Sequence, residues 1–383
     1  MTAPRWRHAF WTLTCAFLVF TALFYVVPQD PRFVRRAVHF LSFEFEQNLA
    51  TWYEGTCFFL VGLLAFERSL GPGPVWAWRS LSVLGVGLSL DELCSIHERS
   101  DLLFKPIGLD DQSLALLPFA IPAAVIAVVA LAGFYKGGER RRAVQLAIAF
   151  ALLGSVVFQE KLEHKLHLEI PAAWAPVRGV VEEGTELVGV YFLLSILLEP
   201  GASVLEALPS RAALRRVLLP TAVLGALGIP VFLYIGWATR VMQYGRGIPM
   251  AFVPYAITTI LAAVALRAAR DGQERRGILV LLGLAALFFS LDEIAVLERV
   301  DNVRLMRSAL EIWALPVMGL LAMLLPRLHS VRNVGLLCAT FALSYPVLTQ
   351  GGRLWPWVAA PTGLFVLLFI VTRGLTCDTE AAS

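Results

Sequence analysis

Charge is what this sequence has least of. Asp, Glu, Lys and Arg make up 16% of its 383 residues, against 58% hydrophobic ones, where a soluble domain carries about 25% charge. That scarcity excludes a soluble globular chain of this length. It also means that each carboxylate inside an apolar run needs a cause. Cysteine is scarce too: Cys15, Cys57, Cys94 and Cys338 lie in apolar runs and Cys377 in the tail, so neither a disulfide framework nor a thiolate metal site is indicated. No phosphate loop, dinucleotide fingerprint, Gly-x-Ser-x-Gly elbow or His-Glu-x-x-His motif occurs, which removes several nucleotide-binding and hydrolase signatures. A net charge of +3 gives no footing for nucleic acid as a partner.

What is present is a succession of apolar runs close to the roughly 20 residues that span a bilayer. They predict an all-α, polytopic transmembrane helix bundle of about twelve helices: Ala9–Val27, Asn48–Phe66, Trp78–Glu98, Gln112–Tyr135, Ala143–Leu162, Arg178–Leu198, Ala213–Trp237, Met250–Leu266, Gly277–Leu297, Arg307–Leu325, Val331–Leu348 and Trp357–Val371. The first run follows Arg5, Arg7 and His8 but is long for a signal-peptide core and has no small-x-small cleavage site, so it reads as a retained helix. The basic segments Lys136–Arg142, Arg211 to Arg216 and Arg267 to Arg276 then fall on one side. The positive-inside rule makes that side cytoplasmic, with both termini there and the chain multi-pass in a cell membrane, its lipid bilayer the one certain partner.

The acids sort more sharply than the bases. Glu54, Asp91, Glu92, Glu98, Glu160, Glu163, Glu182, Glu183, Glu186, Asp292, Glu293, Glu298 and Glu311 all fall toward the outer side on this topology, as do His97, His164 and His167. A charge at the bilayer centre costs about 2.5–3.5 kcal/mol on insertion scales. Carboxylates in such number must therefore share water, protons, arginines or a metal ion.

Ser89-Leu-Asp-Glu92 and Ser290-Leu-Asp-Glu293 close two apolar runs six helices apart in the same direction, which suggests a parallel 6+6 internal repeat. The first half, residues 1–200, carries the His/carboxylate cluster. The second, 201–383, reads as a degenerate copy without the histidine. A weaker echo joins Glu54-Gly55-Thr56 to Glu183-Gly184-Thr185.

Glu160, His164 and His167 stand at i, i+4 and i+7, a spacing that turns imidazole and carboxylate donors to one helix face, where they could converge on a cation. The bland alternative is an amphipathic helix end, since Lys161 and Lys165 interleave with them. For Asp91, Glu92, His97 and Glu98 the alternative is an interfacial helix end paired with Arg99. For Glu182, Glu183 and Glu186 it is a helix N-terminus that favours negative charge, adequate for one acid and poor for three.

The Ser-Leu-Asp-Glu-x4-His-Glu element at Ser89–Glu98, with Glu182-Glu-Gly-x-Glu-Leu187, resembles a pattern recurring in uncharacterised bacterial polytopic membrane proteins. That likeness implies a bacterial inner membrane and no particular chemistry. A fainter analogy reaches the alkaline-ceramidase-like intramembrane hydrolases, which set three histidines and an acid around zinc. His97, His164, His167 and Asp91 could supply that inventory, although order and spacing differ.

Two functional classes follow. In the first, His97, His164 and His167 with Asp91 or Glu160 hold a divalent metal (zinc, iron or manganese) near the outer face, and Glu92, Glu183 or Glu186 serves as general base or orienting group in hydrolysis of a lipid-like substrate. In the second, the acids form a relay in a proton- or cation-coupled transporter. A structural scaffold whose acids and arginines only hold the bundle together is the plain alternative.

Overall fold

The computed structural model describes residues 5–26, 38, 41–43, 48–94, 117–166 and 174–199, together with 202, 208, 209 and scattered positions between 255 and 291; at Cys94 and over residues 160–166 it describes the backbone alone. By backbone contacts the chain divides into two compact units. One comprises Met1–Ala213 with Thr239–Arg246, the other Leu214–Ala238 with Gly247–Ser383.

The described part of the first unit is all-α: α1 (Trp6–Val26), α2 (Leu49–Ser69), α3 (Val75–Cys94), α4 (Leu117–Lys136), α5 (Arg140–Leu166) and α6 (Ala175–Leu197). Four helices or stretches of them, Trp6–Val26, Leu49–Ser69, Leu117–Lys136 and Arg140–Gln159, are long and apolar enough to cross a membrane. Outside that set stand α3 and α6, which carry Arg79, Asp91 and Glu92 and, on α6, Arg178, Glu182, Glu183 and Glu186.

Local chemistry fixes the ends. Asn48 caps α2 by accepting hydrogen bonds through Oδ1 from the backbone N–H groups of Ala50 (2.8 Å) and Thr51 (3.0 Å), satisfying two donors that a helix start otherwise leaves bare. A proline stands in the first turn of α6, where no N–H is needed. The α2–α3 and α4–α5 connections reverse on Gly73 (φ 128°) and Gly138 (φ 79°), backbone that a side chain would strain. Arg140, Arg141 and Arg142, which the sequence places in a loop, lie in the first turn of α5. Gly137–Glu139 make the turn, Glu139 N donating to Phe134 O.

α2 meets α3, α3 meets α4, α4 meets α5, α5 meets α6, and α6 returns to α2, with α1 against α6. The tightest seam lies between α2 and α3. A Cβ at Gly85 would sit 2.6 Å from Gly62 N and 2.9 Å from Phe58 O, and one at Gly55 would sit 2.5 Å from Leu93 Cγ. Only glycine lets these backbones approach so closely, as small residues do at membrane-helix interfaces. The core contains Phe58, Leu81, Phe134, Leu146, Leu187 and Leu193. Exposed Val125, Val128 and Val129 on α4 and Val144 on α5 suit a lipid-facing exterior.

In the second unit the described residues from Tyr255 to Arg270 and from Val280 to Leu291 are helical; the second set falls within a predicted run, and the first continues past the predicted end at Leu266 as far as Arg270. Gly283 faces Leu266, and the hydroxyls of Thr259 and Ser290 share a hydrogen bond of 2.7 Å. The other four runs predicted there, and the residues Asp292, Glu293, Glu298 and Glu311, lie outside the described residues.

Candidate functional site

Among the described residues, the alternation of the helices gathers most basic side chains at one end of the bundle and most acidic ones toward the other, Glu67, Glu139 and Glu199 excepted. Where α1, α3 and α5 begin and α2, α4 and α6 end stand Arg68, Arg79, Lys136, Arg140, Arg141 and Arg142. Two of these arginines are spoken for by backbone: Arg68 Nη2 donates to Leu197 O and Arg142 Nε to Ile196 O, both at 3.3 Å. They neutralise the carbonyl end of α6. Arg142 also bonds Glu139 and stacks on Trp78, its guanidinium 5.1 Å from the ring.

At the other end lie Glu54 in the second turn of α2 and Asp91 and Glu92 in the last turn of α3, with Glu182 and Glu183 two turns into α6 and Glu186 at its midpoint. Their levels follow from packing. Gly55 meets Leu93, so Glu54 lies beside the Asp91–Glu92 turn. Tyr53 Oη is 3.1 Å from Thr14 Oγ1, and the nearest neighbour of Gly184 is Leu18. Thr14 and Leu18 are one turn, about 6 Å, apart on α1. Glu54 and Glu183 are therefore at nearly one depth, on two helices that touch.

Glu54 is the only charged residue buried among the described ones, at 1% exposure. Asp91, Glu92, Glu182, Glu183 and Glu186 are half-buried. Glu182 pairs with Arg178 one turn earlier, Oε2 accepting from Nε and Nη2 at 3.3 Å. Ser89, one turn before Leu93 on the α2-facing side of α3, is fully buried, and its Oγ has no hydrogen-bond partner among the described residues.

Of the residues singled out from sequence, the structure thus brings the α3 end bearing Asp91 and Glu92 beside Glu54, with Glu183 at nearly its depth on α6 and Glu186 a turn farther along, at the middle of that helix. Glu160 and His164 fall on the last two turns of α5, at the same end, with their side chains outside the described residues. His97 and His167 lie outside the described residues altogether. Among the described residues no group of three or more His, Cys, Asp or Glu is placed to hold a metal ion. Glu54 is the residue that sequence reading ranked too low. Its signal was the shared Glu-Gly-Thr of α2 and α6, where the glycine after the acid permits a close approach.

A family model described as a domain of unknown function, DUF8692, matches residues 8–199, half of the chain. The chain belongs to this family. The DUF8692 match begins two residues into α1 and ends just past α6, so it coincides with the described six-helix bundle and contains every candidate site residue. No curated protein matches the chain, and no solved structure does either.

Proposed function

We propose that the DUF8692 bundle is an integral membrane unit whose carboxylate end faces the extracytoplasmic side and works as a divalent-metal-dependent hydrolase of a lipid-like substrate. The observation that supports the reading is the burial of Glu54 beside the Asp91–Glu92 turn of α3, on a helix that also touches acid-bearing α6. Burying a carboxylate is costly unless a partner offsets it. The described carboxylates form no metal cluster by themselves, and the reading adds His97, His164 and His167 as the nitrogen donors. His167 directly follows the last residue of α5 in sequence, and His97 follows the last residue of α3 by three.

In this reading Asp91 and Glu160 complete the ligand set with the three histidines. The cation supplies Lewis acidity and lowers the pKa of a water molecule. Glu92, Glu183 and Glu186 are the groups to take up the proton from that water or to orient the substrate carbonyl or phosphoryl group. Half-burial suits them to this, because each keeps part of its surface accessible. The reading takes the end with the basic turns, and both termini, to be cytoplasmic, in keeping with the positive-inside rule.

Metal analysis tests the reading. Protein purified from cells should carry about one or two equivalents of zinc, iron or manganese, and joint His164→Ala and His167→Ala substitution should lower the content about tenfold or more, since even outer-shell changes cost 10–100-fold. Unchanged metal content in that variant would refute the hydrolase. Orientation is checked separately: a cysteine placed in the Gly137–Glu139 turn should resist impermeant thiol reagents in intact cells.

A second reading, a proton or cation relay, draws on the same continuity of carboxylates across α3, α2 and α6, which could pass a proton between neighbouring helices without a metal. It requires function to survive loss of the histidines and to fail on Glu54→Gln.

A further inference from the structure

The cationic end of the described bundle contains three kinds of arginine, the first being Arg7 at the start of α1, half-buried with its guanidinium 5.6 Å from the ring of Trp6 and 5.8 Å from that of Tyr191. Arg68 and Arg142 donate to the carbonyls that end α6. Arg79, Lys136, Arg140 and Arg141 are exposed, and none of the four forms an ion pair with an acid among the described residues. Two of these outward groups are held by aromatic rings. The guanidinium of Arg79 lies 5.6 Å from the ring of Trp76, and that of Arg140 lies 5.8 Å from Tyr135. Both rings are among the most exposed large side chains described, Trp76 at 72% and Tyr135 at 62%.

The two pairs belong to one corner. The start of α3 packs on the end of α4, where a Cβ on Gly133 would touch Ala77 at 2.8 Å and Trp78 meets Phe134 edge to face at 4.7 Å. Gly137 lies against Pro74, and Gly73 approaches Glu139. Glu139 itself is bonded to Arg142. The one acid in the turn is thereby turned away from the outward cations.

An exposed aromatic at a helix end suits the bilayer interface, where an amphipathic ring sits at headgroup depth. A guanidinium stacked on such a ring is fixed at that depth through its face, while its N–H edge stays open to an oxyanion. A guanidinium also matches a phosphate with two parallel donors. Four cations without carboxylates, two of them positioned by interfacial rings, complement the phosphodiester of an anionic phospholipid and not a zwitterionic headgroup, whose own ammonium would be repelled.

We infer that the corner formed by Trp76, Arg79, Tyr135, Lys136, Arg140 and Arg141 is a seat for the headgroup of an anionic phospholipid. It lies at the end opposite the carboxylates and rests on membrane insertion of the bundle, not on the hydrolase reading.

The test uses the full chain reconstituted in phosphatidylcholine–phosphatidylglycerol vesicles, followed by detergent extraction and counting of co-purified lipid by native mass spectrometry. Wild type should retain phosphatidylglycerol selectively. Arg79→Gln, Lys136→Gln, Arg140→Gln and Arg141→Gln together should lower that retention about tenfold or more, given the attraction of each basic group to an anionic surface. Melting in pure phosphatidylcholine should be unchanged. Arg68→Gln, at the same end but directed to a carbonyl, should keep the lipid. Equal retention by the fourfold variant overturns the seat, as does equal loss in Arg68→Gln. Displacement of the lipid by inorganic phosphate or glycerol phosphate would make it a site for free phosphate and also overturn it. A chain released from vesicles by alkaline carbonate washing would defeat membrane insertion itself, a failure distinct from the others.

Discussion

Ser89 and Ser290 open the same four residues, Ser-Leu-Asp-Glu, and both are completely buried. Their hydroxyls fare differently. Ser290 shares a 2.7 Å hydrogen bond with Thr259, whereas Ser89 Oγ has no partner among the described residues. A buried hydroxyl without a partner carries a desolvation cost that a bonded one does not. The second motif is thus internally satisfied at its serine, as a packing element should be. The first has an uncompensated polar atom one turn from Asp91 and Glu92, in the seam that also buries Glu54. Uncompensated polarity of this kind is more at home in a working site than in a strut.

The widest separation between the two motifs should appear in function. Glu92→Gln and Glu183→Gln should abolish it, by about a hundredfold or more for a lost general base, with melting in detergent unchanged. Asp292→Asn and Glu293→Gln should lower melting instead. A growth phenotype measured beside thermal stability decides, and stable but inactive Asp292 and Glu293 variants would transfer the case to the relay.

The serines themselves give the next largest difference. Ser290→Ala leaves Thr259 Oγ1 without its partner and should cost about 1–3 kcal/mol. Ser89→Ala removes a hydroxyl that bonds nothing in the described structure, and should leave stability unchanged or slightly raise it. Equal destabilisation by both would erase the contrast. Smaller again is Asn48→Ala, which strips the cap from α2 at the acidic end and should cost about 1 kcal/mol. The smallest effect belongs to Arg178→Gln. Its bond to Glu182 joins a half-exposed side chain to a neighbour one turn away, and such pairs contribute about 0.3–0.5 kcal/mol, screened by salt.

How much of this could be read from residues alone follows the range of the forces involved. The six described helices were legible because each buries or exposes an apolar run long enough to announce itself. Their ends moved by about a turn. Arg140–Arg142 look like loop by charge yet start α5, since the turn needs only Gly137–Glu139, and a proline in the first turn lets α6 begin at Ala175, ahead of Arg178. The one-ended gathering of acids was visible from alternation alone. The burial of Glu54 was not, because it depends on Gly55 meeting Leu93 across a seam between two helices. Nor was the division of arginines into those that bond α6 and those that face outward, which only tertiary packing decides. Twelve helices, the internal repeat and the histidine ligands are expectations that reach beyond the described residues.

The close seam at Gly62 and Gly85 has a mechanical consequence. Two helices in backbone contact cannot slide or tilt past each other without collision, so α2 and α3 must move as one body. An opening at the acidic end is then made by other elements moving against that pair, and not by α2 and α3 parting. Glu54 and the Asp91–Glu92 turn would keep their mutual spacing throughout, the fixed jaw of a clamp whose moving jaw lies elsewhere in the circuit.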